Sequence, residues 1–260
     1  MKWEVRCRKT WLHETNPSLK LIVLVVLFFA VLFIHNPNVL INVSLALFAL
    51  FCFGTGYPAG VLFWLFLPFF LVFVSTASSM MMFGEGTTTW FRWGLIHITA
   101  ESFWRGVHIG VRALALGLLG LIFSLTTRPV HLFYSLMQQL KLKPKYAYSF
   151  LAAVRLLPMM LEEFQTVRYA LTVRGVPNKG GLGKIKRYAV PLLSQSIRRA
   201  QRIAVAMEAK RFSGDGRRTF YYEMGFGKYD VLFVALFAAL MLVAYYAGMH
   251  YPYIPISDVR

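Results

Sequence analysis

The sequence predicts an all-α membrane protein with about five transmembrane helices and a cytoplasmic domain of long amphipathic helices. Three observations predict it. Of 260 residues, 57% are hydrophobic and 15% charged, more apolar than a soluble domain of this length. The apolar residues form runs that approach the ~20 residues needed to cross ~30 Å of hydrocarbon. The charge is gathered as well: of 28 Lys and Arg, 19 lie between Thr126 and Lys228, against 5 acidic residues. Nearly the whole net charge of +17 therefore sits in one interior segment between apolar runs. The chain divides into a membrane region at 1–125 with about four spans, a cytoplasmic helical domain at 126–228, and a last span with its tail at 229–260.

Leu19–Ile34 is the first apolar run, preceded by Lys2, Arg6, Arg8 and Lys9. It ends in His35-Asn36-Pro37 with no small-residue cleavage pattern, so it reads as a retained span rather than a signal peptide. Val39–Phe53 is the second, closed by Gly54-Thr55-Gly56-Tyr57-Pro58. Ala59–Phe83 is the third, with Pro68 tolerated inside it because neighbouring helices can satisfy the freed carbonyl. Residues 84–105 mix charges with three Trp and read as an interfacial loop or short surface helix. Gly106–Leu125 is the fourth run and carries Arg112 near its start, where the side chain is expected to snorkel to the interface or to meet a neighbouring subunit. Tyr229–Ala247 is the fifth, followed by a tail with Pro252 and Pro255. With five spans the N-terminus and 126–228 fall on one side, and the basic bias places that side in the cytoplasm.

The cytoplasmic segment reads as three helices. Pro129–Leu140 starts with proline in a favourable first-turn position. Pro144–Arg174 repeats apolar residues at Phe150, Val154, Leu157, Leu161, Phe164, Val167 and Leu171, the spacing of one helix face. Pro158 is expected to kink or split it, and Gly175-Val176-Pro177 to stop it. After a hinge at Gly180-Gly181-Leu182-Gly183, a helix over Lys184–Phe212 carries the stripe Ile185, Tyr188, Leu192, Ser196, Ala200, Ile203, Ala204 and Met207, and Ser213-Gly214-Asp215-Gly216 ends it.

Catalytic chemistry is hard to find. Residues 178–185 lack the first glycine of a phosphate loop, and Ile185 stands where Ser or Thr would hold magnesium. The six histidines show no i,i+4 pair, Cys7 and Cys52 no metal or disulfide pattern. Glu162 and Glu163 are adjacent on a helix and do not face each other, so a solvated face or an ion pair to Arg155 or Arg168 is expected. No catalytic, cofactor-binding or metal residues are assigned. Two other classes remain: a membrane enzyme acting on anionic lipid at the cytoplasmic face, which needs a convergent nucleophile, acid and base, and a nucleic-acid binder, which needs a basic stripe interleaved with exposed aromatics.

What stands out is a doubled ending. One long helix closes Ala170-Leu171-Thr172-Val173-Arg174-Gly175, the other Ala206-Met207-Glu208-Ala209-Lys210-Arg211-Phe212. A cation at a helix C-terminus suits the macrodipole, at ~0.3–1 kcal/mol. Two such tips would suit a partner that is itself paired, with carboxylates for Arg to grip.

These words, together with Arg155-Leu156-Leu157-Pro158, Glu162-Glu163 and Arg217-Arg218-Thr219, resemble the transmembrane T component of energy-coupling factor (ECF) transporters. The resemblance implies a non-catalytic subunit of an ATP-driven importer for a vitamin or metal ion. It implies two coupling helices, each ending in an Ala-Arg-Gly signature that docks on one of two ABC-type ATPase subunits, which bind ATP-Mg. It also implies a small membrane-embedded substrate-binding S component and a home in the cell membrane; no nucleic-acid partner is expected, because most aromatics fall within spans or on the buried stripe. On this resemblance Arg174 and Gly175 match the first signature, with Val173 in place of alanine. Ala209, Lys210 and Arg211 match the second, with Lys for arginine and Arg for glycine, so Lys210, Arg211 or both together supply the second coupling cation.

Overall fold

The computed structural model describes residues 8–84, 89–93, 96–175, 182–212 and 219–251. The described chain is α-helical apart from one two-stranded hairpin. It forms two compact units, residues 1–128 with 224–260, and residues 129–223.

The first unit contains a single turn of helix, α1 (Trp11–Glu14), then α2 (Pro17–Phe33), α3 (Pro37–Gly54), α4 (Ala59–Phe83), strands β1 (Thr89–Trp93) and β2 (Ile96–Thr99), α5 (Ala100–Thr126) and, from the C-terminal part, α9 (Lys228–His250). By length and composition α3, α4, α5 and α9 can each cross a membrane, and the 17-residue α2 is a shorter apolar helix. Both α2 and α3 start with Asn-Pro: the side chains of Asn16 and Asn36 accept from the backbone N–H of Ser18 and Asn38, and proline occupies the first helical position, where no N–H is needed. The core lies among α2, α3, α5 and α9, around Val31, Leu40, Leu47, Phe51, Leu118, Ile122 and Phe237.

Helix α4 has only Leu62 and Ala77 fully buried, and its close neighbour is α5. In lipid, helices gain little from hiding apolar groups from water, so close packing over small residues must hold them together. Gly106 and Gly110 provide it: a Cβ on Gly106 would lie 2.8 Å from the Ala77 carbonyl oxygen, and one on Gly110 2.9 Å from the Phe73 ring.

At one end of this unit the starts of α2 and α9 and the end of α5 meet in a polar layer. Asp230 accepts from the backbone N–H of Asn16 at 2.6 Å and of Gly227 at 2.7 Å. The fully buried Lys20 donates to the carbonyl of Leu12 at 2.6 Å and to both oxygens of Thr126 at 3.2 Å. The three chain segments that lead to residues 129–223 and to the N-terminus thus emerge on one side of the bundle.

Two expectations for this unit are corrected. Where a loop or short surface helix was expected within 84–105, β1 and β2 pair antiparallel, with Phe91 opposite Ile98 and Arg92 opposite His97. Trp, which suits an interface, is also a strand former. The fourth span starts at Ala100, not Gly106, because Thr99 and Ser102 cap one another reciprocally. Arg112 consequently lies about three turns inside α5. Its guanidinium donates to the carbonyl of Ile34, at the end of α2, at 2.8 Å and to Nε2 of His108 at 2.7 Å.

The second unit holds α6 (Pro129–Gln139), α7 (Pro144–Val173) and α8 (Leu182–Ala209). Helix α7 passes unbroken through Pro158. Both halves are fastened to α8, by Tyr148 on Phe212 before the proline and by Met160 near Ser196 and Phe164 on Tyr188 after it, which offsets the lost hydrogen bond. Of the expected hinge, Gly183 lies inside α8, and Gly180 and Gly181 are outside the described residues, as are Val176–Pro177, Ser213–Gly216, Arg217–Arg218, the N-terminal Lys2, Arg6 and Cys7, and the tail prolines. The apolar stripe of α7 is largely uncovered within this unit: Leu157 is 62% and Leu161 67% exposed. Three helices without a second layer leave such a face for another surface.

Candidate functional site

Helices α7 and α8 run antiparallel. The pairs Tyr148–Phe212, Met160–Ser196 and Phe164–Tyr188 climb one helix as they descend the other. The two C-termini therefore point in opposite directions. From Tyr148, beside the α8 tip, to Arg174 is 26 residues, which separates the tips by roughly 40 Å at 1.5 Å per residue.

An ion pair braces the crossing. The guanidinium of Arg199 on α8 donates to Glu163 on α7. The expected partners of the Glu162–Glu163 pair, Arg155 and Arg168, lie on the same helix. The structure instead chooses a cation from the facing helix, because Glu163 is on the face turned toward α8 and is partly shielded there. On the other side of α7, Phe133 of α6 stacks on Phe150 at 5.1 Å. The backbone carbonyl of Tyr222 accepts from Gln138 at 2.6 Å, with the Tyr222 ring beside Tyr134. Burial, and the hydroxyls of Tyr148 and Tyr222, push the Tyr134 phenol above its ordinary value.

The two tips are built alike. On α7, Arg174 is the C-cap and its N–H bonds the carbonyl of Ala170 at 3.1 Å; Gly175 follows with φ +66° and bonds Thr172 at 3.0 Å. On α8, Lys210 bonds Ala206 at 3.2 Å, Arg211 follows with φ +51° and bonds Glu208 at 2.8 Å, and Phe212 bonds Met207 at 2.9 Å. At α8 this is the Schellman ending, with a left-handed residue just past the cap; α7 shares its left-handed residue and the bond from that residue. No atom lies within 4 Å of a Cβ built on Gly175, so glycine stands there for its dihedral angle rather than for space. Arg211 takes the same conformation without that freedom. By position, Lys210 corresponds to Arg174 and Arg211 to Gly175.

Arg174, Gly175, Ala209, Lys210 and Arg211 are all exposed. Below the α8 tip a recess of about 420 Å³ opens between Lys210, Arg211 and the Phe212 ring, floored by Ile203 and Met207. Each tip thus offers a cation in the negative end of a helix dipole, free to meet a carboxylate. The sequence placed all five residues at helix ends. It did not reveal the Glu163–Arg199 brace, the recess, or the left-handed turn at Arg211. A Lys-Arg-Phe following a long amphipathic helix was the available signal for that turn, with Phe212 as the apolar residue that such an ending folds back on Met207. Among the described residues no group of three His, Cys, Asp or Glu is placed to hold a metal ion.

The family model described as CbiQ, cobalt transport protein, matches residues 8–222. The energy-coupling factor transporter transmembrane protein EcfT of Acidaminococcus fermentans is 28% identical over 245 residues, covering 89% of this chain and 90% of the relative. EcfT of Limosilactobacillus fermentum is 28% identical over 254 residues, with 91% and 92% covered. EcfT of Thermotoga maritima is 28% identical over 247 residues, with 89% and 88% covered.

Proposed function

The chain belongs to the CbiQ family of cobalt transport proteins, and from that premise we propose that it is the energy-coupling transmembrane subunit of an ECF-type ABC importer. It is a multi-pass membrane protein. In the proposed role it catalyses nothing itself. Two ABC-type ATPase subunits bind ATP-Mg, and their closing and opening moves the α7–α8 pair. That movement tilts a small membrane-embedded S component, which carries the vitamin or metal ion. The N-terminus and residues 126–228 face the cytoplasm, where ATP is.

One observation carries the proposal: the matched endings of α7 and α8, each an exposed cation at the C-cap followed by a left-handed residue, at opposite ends of one antiparallel pair. A rigid rod with a cation at each end is suited to two like subunits that move relative to each other. Arg174 meets one ATPase and Lys210 the other, and the Glu163–Arg199 brace makes the two helices move as one piece. The apolar stripe of α7 at Leu157 and Leu161 is free for a partner in the same assembly.

The test is charge reversal at one tip. Arg174→Glu should lower recovery of the ATPase subunits with this chain by about tenfold or more, as loss of an interface anchor does, and should abolish uptake while membrane insertion stays intact. Undiminished assembly and transport would refute the assignment.

A further inference from the structure

Helices α6, α7 and α8 line an open groove of about 900 Å³, at the upper end of the ~300–1,000 Å³ typical of small-molecule sites. Most of its wall is apolar, with Leu151 and Met159 from α7 facing Ile203 and Met207 from α8. Three arginines interrupt it: Arg155, Arg199 and Arg202. Glu163 occupies Arg199. Arg155 and Arg202 have neither an ion pair nor a hydrogen bond among the described residues. Yet they belong to the same hollow and stand opposite each other, since 155 and 202 fall between the Tyr148–Phe212 and Met160–Ser196 pairings of the two antiparallel helices.

Two exposed guanidinium groups on one apolar groove, at the same level of facing helices, offer paired donor forks to an anion. A phosphodiester fits: guanidinium forks bind phosphate oxygens with two parallel N–H bonds each. The apolar wall requires more than an inorganic ion, which would leave it bare. The chain enters this unit within a few residues of α5 and leaves it within a few residues of α9, two candidate membrane spans, so lipid is the anionic amphiphile at hand.

We propose that this cavity is an anionic phospholipid site, with the phosphodiester held between Arg155 and Arg202 and the adjoining acyl methylenes lying on Leu151, Met159, Ile203 and Met207. The lipid would complete the electrostatics of the helix pair and fill the hollow beside its brace.

The test uses the full-length chain in detergent, incubated with equal amounts of phosphatidylglycerol and phosphatidylcholine of the same acyl chains, with bound lipid read by native mass spectrometry. Wild type should retain phosphatidylglycerol preferentially. The double variant R155Q/R202Q should weaken its retention by about 30-fold, from two cations at ~1 kcal/mol each. Both side chains are exposed and unbonded, so elution and melting should not change. K186Q/R198Q removes the same charge outside the cavity and should retain the lipid as wild type does. Ala206→Phe should reduce retention by filling the wall while leaving every charge in place.

Equal losses from the two double variants would mean diffuse attraction and overturn the site. Complete displacement of the lipid by inorganic phosphate would assign it to a free anion. If Ala206→Phe kept the lipid as wild type does, the hollow would not be its seat. The assay involves neither ATPase nor transport, so its failure leaves the coupling assignment untouched.

Discussion

The ammonium of Lys20, near the start of α2, donates to both the carbonyl and the hydroxyl oxygen of Thr126, the last residue of α5, at 3.2 Å each. Fourteen residues further along α2, and fourteen back along α5, the carbonyl of Ile34 accepts from Arg112 at 2.8 Å. The two helices are therefore antiparallel and in register over roughly 21 Å. A cation spends its charge on a terminal carbonyl at each end. Each contact satisfies backbone oxygens that a helix leaves unpaired, in surroundings where little water can do so.

Replacing Lys20 by Met should therefore destabilise the membrane unit. The carbonyls of Leu12 and Thr126 would lose their donor while remaining buried, at a cost of about 3 kcal/mol. Thermal denaturation in detergent would read this as a lower midpoint. An unchanged midpoint would show that the ammonium does not hold these ends together.

His13, in the single turn α1, has its imidazole pushed below the ordinary 6.5 by burial, and further by the charges of Lys20 and Arg128; hydrogen bonds near Leu125 and Thr10 act the other way. The folded state thus binds a proton here less readily than the unfolded chain. The stability His13 contributes is complete above pH 6.5 and is lost as the pH falls toward the lowered value. Melting curves across that window should slope more steeply for wild type than for His13→Gln. Parallel slopes would remove His13 from the account.

Arg211 holds φ +51°, a conformation that costs an ordinary residue ~1 kcal/mol or more. Arg211→Gly should remove that cost and slow hydrogen exchange at the amides of Arg211 and Phe212. If the C-cap cation is the one that acts, R211G should also keep its ATPase subunits while Lys210→Glu loses them by about tenfold. The reverse pattern would make Arg211 the second coupling cation.

Length and apolarity were sufficient to foresee α3, α4 and α9 closely, because a helix that crosses lipid must satisfy its own backbone and cover itself with apolar side chains. The helix end at Arg174 was legible for a similar reason: caps are local, written in neighbouring residues; the next helix, expected to reach Phe212, ends at Ala209 because its left-handed turn comes at Arg211. The start of α5 was local too, but the Thr99–Ser102 cap was hidden behind Glu101 and Arg105, whose charges made the segment look like a loop. The hairpin at 89–99 was misread because aromatic residues serve interfaces and strands equally well.

By itself, then, the sequence determined a helical membrane protein of this family, where the charge is stored, and the five residues at the two tips. Tertiary structure alone decided which partners the charges take. Lys20 turned to Thr126, Arg112 to Ile34 and Glu163 to Arg199, each across a large interval in the chain. Periodicity tells which face of a helix a residue lies on. Only the packing of one helix against another says what that face will meet, and so only the packing left Arg155 and Arg202 facing the same hollow.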